Sequence, residues 1–314
     1  VNPTGRVRTV LADIEPGELG RTDYHEHLTQ VSPLLPGDEL DDEERSGAEA
    51  ASLRAAGIDA MVEATPTGLG RDVAAIARIA AATGLNIVAT TGAHREAHYR
   101  PGDPLPAEDA AALAARFTAD LTVDARPGSP GGAGAVRAGL LKAGAGYWSV
   151  SPFERRVLDA VAAAHRATGA PVMVHLEHGS AAFELLAVLA EGGVPASAVA
   201  LAHMDRNPDP GLHAELCEAG AYLGYDGMAR HRERPDSELI ACLLATVERA
   251  GPHRLLLGGD VARRTRYRAY GGMPGLDYLP RRFLPRLAAE GGAELVDTLL
   301  AANPAAWLTW RSAA

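Results

Sequence analysis

What most restricts the fold of this chain is a rhythm. From residue 47 onward, short runs of Val, Ile, Leu and Ala alternate with longer alanine-rich stretches of helical period. Strands that alternate with helices in this way build βα units on a parallel sheet. Seven such runs lie at 59–63, 86–90, 138–142, 171–175, 199–203, 221–225 and 254–258, and an eighth strand ends at His25. Eight parallel strands close a barrel. Helix stops precede several strands, at Thr83-Gly84, Thr168-Gly169, Glu191-Gly-Gly193 and Glu218-Ala-Gly220. Ser151-Pro152 with Glu154 marks a helix start. The 314 residues suit one barrel of roughly 250 residues plus insertions. The reading is therefore an α/β fold, a (β/α)8 TIM barrel forming one domain over residues 1–314. Residues 1–20 read as an N-terminal β-hairpin turning at Glu15-Pro16-Gly17, and residues 33–46 as a solvated acidic loop.

Charge and composition narrow the function classes. A net charge of -10 argues against nucleic acid or an anionic membrane as main partner, since both need a basic footprint. Residues 1–20 lack the pattern of a signal peptide, and no apolar run is long enough to span a bilayer. Cys217 and Cys242 stand apart, without zinc-finger spacing, as suits small apolar residues in a reducing compartment. The expectation is a cytoplasmic protein.

Chemistry gathers where the strands end. In Asp23-Tyr-His-Glu-His27, alternation along a strand puts His25 and His27 on one face and turns Glu26 aside. Other strands end in Lys142, His175 and His203, and the last leads into Asp260. The C-terminal ends of a parallel barrel open on one rim, so these six side chains converge. Taken singly, each has a plainer role: His203 as a satisfied core histidine, Asp260 as a helix cap, Lys142 as a snorkelling side chain. Lys142 tells most, because a buried ammonium is expensive unless it is paired or neutralised. Reaction of its amine with CO2 gives a carbamate, an anion whose two oxygens can bridge two cations.

The set resembles the phosphotriesterase-like branch of the amidohydrolase superfamily. The matching elements are Thr9-Val-Leu11, Glu18-Leu-Gly20, His25-Glu-His-Leu28, Lys142, Thr168-Gly-Ala-Pro-Val172, His175, His203, Asp260 and Asn303-Pro-Ala305. The resemblance implies one metal held by His25, His27 and Asp260, and a second held by His175 and His203. Carboxylated Lys142 and a hydroxide would bridge the two divalent ions, and Asp260 would be the catalytic proton carrier. Zn2+ suits such ligands, with Mn2+, Co2+ or Fe2+ as other occupants. A homodimer is likewise an expectation from the resemblance.

The loops after the strands should set specificity. Those beginning at His94, Asp226 and Asp260 carry many arginines, and Arg suits bidentate contact with phosphate or carboxylate. Solvated loop charge or oligomer contacts would account for the same residues. Arg230, Arg264 and Tyr267 resemble the lactonases of phosphorylated sugars, while Tyr99 and His94 are further pocket candidates against plain loop packing. Glu177 and His178 fit either the rim or a helix start. The first expectation is a lactonase for a small anionic substrate. A phosphotriesterase or neutral-ester hydrolase with the same centre is the second, and a metal-stapled binding protein the third.

Overall fold

The computed structural model describes residues 2–313. An antiparallel pair, β1 (Val7–Arg8) and β2 (Asp13–Ile14), precedes eight parallel strands. These are β3 (Thr22–Glu26), β4 (Ala60–Glu63), β5 (Asn86–Gly92), β6 (Leu140–Ala145), β7 (Val172–Leu176), β8 (Val199–Ala202), β9 (Tyr222–Tyr225) and β10 (Leu255–Leu257). They pair in chain order, and Asp260 N–H donates to the His25 carbonyl at 2.9 Å where the last strand meets the first. The expected TIM barrel is present. Helices α1 (Glu43–Ala55), α2 (Val73–Thr83), α3 (Ala110–Thr122), α4 (Pro152–Thr168), α5 (Ala182–Glu191), α6 (Pro210–Glu218) and α7 (Asp236–Ala250) follow successive strands. Among the described residues, no helix is long and apolar enough to cross a membrane.

Local chemistry sets these boundaries. Ser151 and Glu154 form a reciprocal capping box at the start of α4, and Gly169 ends it with φ +77°. Two expectations shift. The hairpin turns at Thr9–Ala12, where the Thr9 hydroxyl bonds the turn backbone, while Pro16–Glu18 is a separate 3-10 turn closed by Glu15 and Glu18. The acidic loop is shorter than 33–46, because Asp42 caps α1 by accepting from the Arg45 N–H at 3.1 Å.

The strand period of two divides the core. Met61, Leu141, Val172, Val174, Val199 and Leu201 face the helices, whereas Ala60, Val62, Leu140, Met173, Ala200 and Leu256 pack inside the barrel. Trp307 and Leu308 join this inner cluster, so its apolar layer is complete. The next inward positions along the same strands are Lys142 and His175. The pleat that places Leu140 and Met173 in the barrel core therefore carries polar ligands into its mouth. On β3 the register slips between Asp23 and Glu26. The extra residue lets Tyr24 and His25 both face inward and restores His27 to the same face, a use of a bulge beside a functional site. Gly224 makes room, since a Cβ there would overlap the Tyr24 ring.

Candidate metal centre and active site

Six of the 11 histidines line a cavity of about 210 Å3 at the C-terminal mouth of the barrel: His25, His27, His94, His98, His175 and His203. Lys142 and Asp260 line it too, so the structure brings together all six side chains expected at the metal site. His203 and Asp260 lie just beyond their strands, at left-handed φ of +65° and +43°. Such backbone costs about 1–3 kcal/mol per residue and collects at functional sites.

The hydrogen bonds fix which ring nitrogen of each histidine is free. His25 Nδ1 lies 3.1 Å from Asp226 Oδ2, and His203 Nδ1 lies 2.7 Å from Asp226 Oδ1. One carboxylate thus orients two imidazoles. His27 Nδ1 meets Thr65 Oγ1 at 2.7 Å, and that hydroxyl donates to Glu63 at 2.8 Å. These bonds leave the Nε2 lone pairs of His25, His27 and His203 pointing inward. His175 is reversed, because Glu177 accepts from its Nε2 at 2.8 Å and frees Nδ1. His175 Nδ1 and His203 Nε2 then face each other at 2.8 Å. Two lone pairs at that separation repel unless a proton or a cation stands between them.

Burial favours a cation over protons. It lowers His203 to about 4, with Arg206 adding to the effect. It takes His175 well below the usual range, helped by His203, and His27 likewise, helped by Lys142. Neutral imidazoles with the outer nitrogen tied to a carboxylate or hydroxyl are metal ligands in waiting. His25, His27 and Asp260 offer ligand atoms all within 4.8 Å of one another. Asp260 Oδ1 is 3.7 Å from Nε2 of both histidines, while its Oδ2 accepts from Arg230 at 2.5 Å and Arg206 at 3.1 Å. Burial would raise its pKa, but Arg230, His25 and His203 outweigh that and hold it ionised. Lys142 is buried, donates to the Ala64 carbonyl at 2.8 Å, and is lowered by burial to about 8. That lowering gives Lys142 a larger share of neutral amine than a free lysine has, and the neutral amine is the form that reacts with CO2. The donor set fits divalent cations.

The substrate residues fare differently. Arg230 and His94 line the cavity, His94 stacked on His98 at 3.7 Å between ring centroids. Arg264, Tyr267 and Tyr99 do not. The 3-10 turn Arg264–Arg266 carries Arg264 over the Tyr270 ring at 5.5 Å and puts Arg266 on the cavity instead. Tyr267 is fully buried beneath the site, where its hydroxyl donates to the His27 carbonyl. Tyr99 packs edge-on against Phe153, and its hydroxyl donates to the Thr67 carbonyl at 3.0 Å. The arginines that line the cavity are Arg95, Arg206, Arg230, Arg263 and Arg266. Sequence reading also missed Asp226 as an orienting group, although its place directly after β9 follows the same strand-end rule as Asp260. Arg206 and His98 carry no comparable signal.

The model of the Phosphotriesterase family matches residues 5–308. A lactonase from Listeria monocytogenes is 31% identical, with a TM-score of 0.91 over 98% of this chain and 100% of that one. The phosphotriesterase homology protein of Escherichia coli, solved with phosphate in its active site, is 28% identical, with a TM-score of 0.84 over 93% of this chain and 99% of that one. N-acetyltaurine hydrolase of Bos taurus is 28% identical over 98% of this chain and 99% of its own length. The chain belongs to the phosphotriesterase family, a family of hydrolases.

Proposed function

We propose that this protein is a binuclear metal-dependent lactonase whose substrate carries an anionic group. His25, His27 and Asp260 would hold one divalent ion, and His175 and His203 the other. Lys142, carboxylated by CO2, would serve both. Zinc suits these donors. When bound, such a pair lowers the pKa of a shared water and polarises the oxygen under attack. The observation that carries the reading is the pair of unprotonated nitrogens of His175 and His203 meeting at 2.8 Å, each oriented from behind by a carboxylate.

The protein's own groups then have definite tasks. Water adds to the lactone carbonyl carbon, the ring C–O bond breaks, and one proton must travel from the water to the departing alkoxide. Asp260 carries it, since Arg230 and Arg206 hold Oδ2 and leave Oδ1 on the side of His25 and His27. Arg266 is the anion-binding candidate. It is half-buried on the cavity wall, donates to the Met228 carbonyl at 3.2 Å, and has no carboxylate partner among the described residues, unlike Arg95, Arg206, Arg230 and Arg263. The phosphate in the Escherichia coli relative's active site agrees with this.

The same wall of arginines suits a second reading, hydrolysis of an N-acyl aminosulfonate, in line with the N-acetyltaurine hydrolases. The test is metal analysis followed by turnover of phosphorylated and plain lactones and of N-acetyltaurine. Two metals per chain and a clear kcat/KM preference for phosphorylated lactones support the proposal. Equal rates with and without phosphate overturn the anion argument, and faster turnover of N-acetyltaurine moves the assignment to the amide.

A further inference from the structure

The histidine cavity is small for a substrate. Its 210 Å3 falls below the roughly 300–1,000 Å3 of ordinary ligand pockets, so much of any sizeable molecule must lie outside it. Next to it is a hollow of about 760 Å3, and Glu177 and Arg206 line both spaces. Its walls come from the segments after β6, β7 and β8, and they set aromatic and aliphatic side chains beside the polar Glu177, His178, Glu184, Arg206 and Asn207. Tyr147 and Trp148 are 64% and 62% exposed, Phe183 is 41% exposed, and Leu212 also lines the hollow. Aromatic side chains left this open beside a reaction cavity are surface that gains by being covered.

The backbone sets these side chains deliberately. Six non-glycine residues among those described have φ in the left-handed region, and five of them line one or other of the two spaces. Trp148, His178 and Ala181 line the outer one, with φ of +46°, +53° and +58°. The loops are also tied together. Trp148 N–H donates to Ser180 Oγ at 3.1 Å, and Ser180 Oγ donates to the Glu177 carbonyl at 2.7 Å. The residue that orients His175 is therefore linked through Ser180 to the aromatic wall, and strained backbone held by such bonds marks a pre-formed site.

We propose that the outer hollow is the subsite for an apolar substituent of the substrate, an alkyl chain or an aryl ring attached to the group hydrolysed at the histidine cavity. The inference rests on the reading of that cavity as the hydrolytic site. Glu177 and Arg206 border both spaces, so a substituent on a molecule held in the inner cavity has the outer hollow within reach.

The test uses the metal-loaded enzyme with γ-butyrolactone and its alkyl-substituted analogue γ-nonalactone. In Trp148→Ala and Phe183→Ala, the ratio of kcat/KM for the alkylated to the plain lactone should fall at least tenfold. An unchanged ratio overturns the subsite. Binding is read separately through the fluorescence of anilinonaphthalene sulfonate, excited by energy transfer from tryptophan. The subsite predicts that γ-nonalactone displaces the dye, and that Phe183→Ala weakens both ligands at least tenfold. Binding of this kind without turnover of either lactone would refute lactone hydrolysis and keep the subsite. Dye binding that Phe183→Ala leaves unaltered refutes the subsite. Sedimentation completes the test, for a dimer that Trp148→Ala turns into monomers would make the patch a subunit interface and overturn the proposal.

Discussion

Asp226→Asn is the most demanding test of the metal centre, because it changes one atom and alters two histidines. Asp226 offers an acceptor to His25 Nδ1 at 3.1 Å through Oδ2 and to His203 Nδ1 at 2.7 Å through Oδ1, and Oδ2 also accepts from the Tyr24 hydroxyl. Asparagine keeps one acceptor and turns an NH2 toward the other donor. Two donors converge on Oδ2 and one on Oδ1, so the amide oxygen should take the Oδ2 place and His203 should lose its partner. A buried N–H left facing another donor costs about 1–3 kcal/mol. Loss of an outer hydrogen bond to a ligating histidine typically weakens a metal site about 10–100-fold, or roughly 1.4–2.8 kcal/mol, so the two routes agree. The loss should fall on the ion that the proposal assigns to His175 and His203. The assay is a chelator titration with metal content read by mass spectrometry and the fold checked by circular dichroism. Thr65→Val, which removes only the partner of His27 Nδ1, should weaken the other ion instead. If Asp226→Asn keeps two ions at wild-type chelator resistance, the orienting role assigned to this carboxylate is wrong.

Asp260→Asn should lose turnover by several orders of magnitude, and steady-state kinetics with full metal occupancy will show whether the loss lies in kcat. Arg266→Met should raise KM for a phosphorylated lactone about tenfold or more while leaving the plain lactone little changed, since a hydrogen bond to a charged group is worth about 1.5–3 kcal/mol. Tyr267→Phe removes the bond to the His27 carbonyl and should lower the melting temperature by a few degrees at about 1 kcal/mol, with the kcat/KM preference for phosphorylated lactone unchanged. A lost preference would return Tyr267 to the substrate site. For the metal-free protein, burial lowers Lys142 from 10.5 to about 8. The folded form therefore binds fewer protons than the unfolded chain between those values, and stability rises with pH across that window. Metal-free wild type should gain on the order of 3 kcal/mol relative to Lys142→Met between pH 8 and 10.5, read by urea unfolding. A gap independent of pH would mean that the folded lysine keeps the pKa of the unfolded chain and that burial does not lower it.

The convergence of the six proposed ligands was legible in the sequence because the strands dictate direction. Lys142 follows Leu140, and His175 follows Met173, at the spacing that keeps a side chain inside the barrel. Even the bulge on β3 left His25 and His27 on the expected face. His203 and Asp260 fall outside their strands, yet only by a residue or a few, and a positive φ turns each back to the mouth. The hairpin turn was misplaced because a Pro-Gly pair is a strong local signal and the Thr9 hydroxyl, which closes the real turn, is a weak one.

Loops carry no such period, and the arginines show the consequence. Arg264 and Arg266 are two residues apart on one 3-10 turn, close enough that composition cannot separate them. A single turn decides that one rests on Tyr270 and the other reaches the cavity. The same holds at the outer hollow, where Trp148 and Ser180 meet across 32 residues of sequence through one backbone bond. Chemistry fixed by strands is thus set by pattern, while selectivity is set by a few tertiary bonds that can change with little penalty to the barrel. Substitutions at Trp148, Phe183 or Arg266 should accordingly shift substrate preference with small effects on melting temperature, whereas those at Asp226 or Glu177 should change metal retention first. A variant at Trp148 that lost metal before it lost selectivity would break that division.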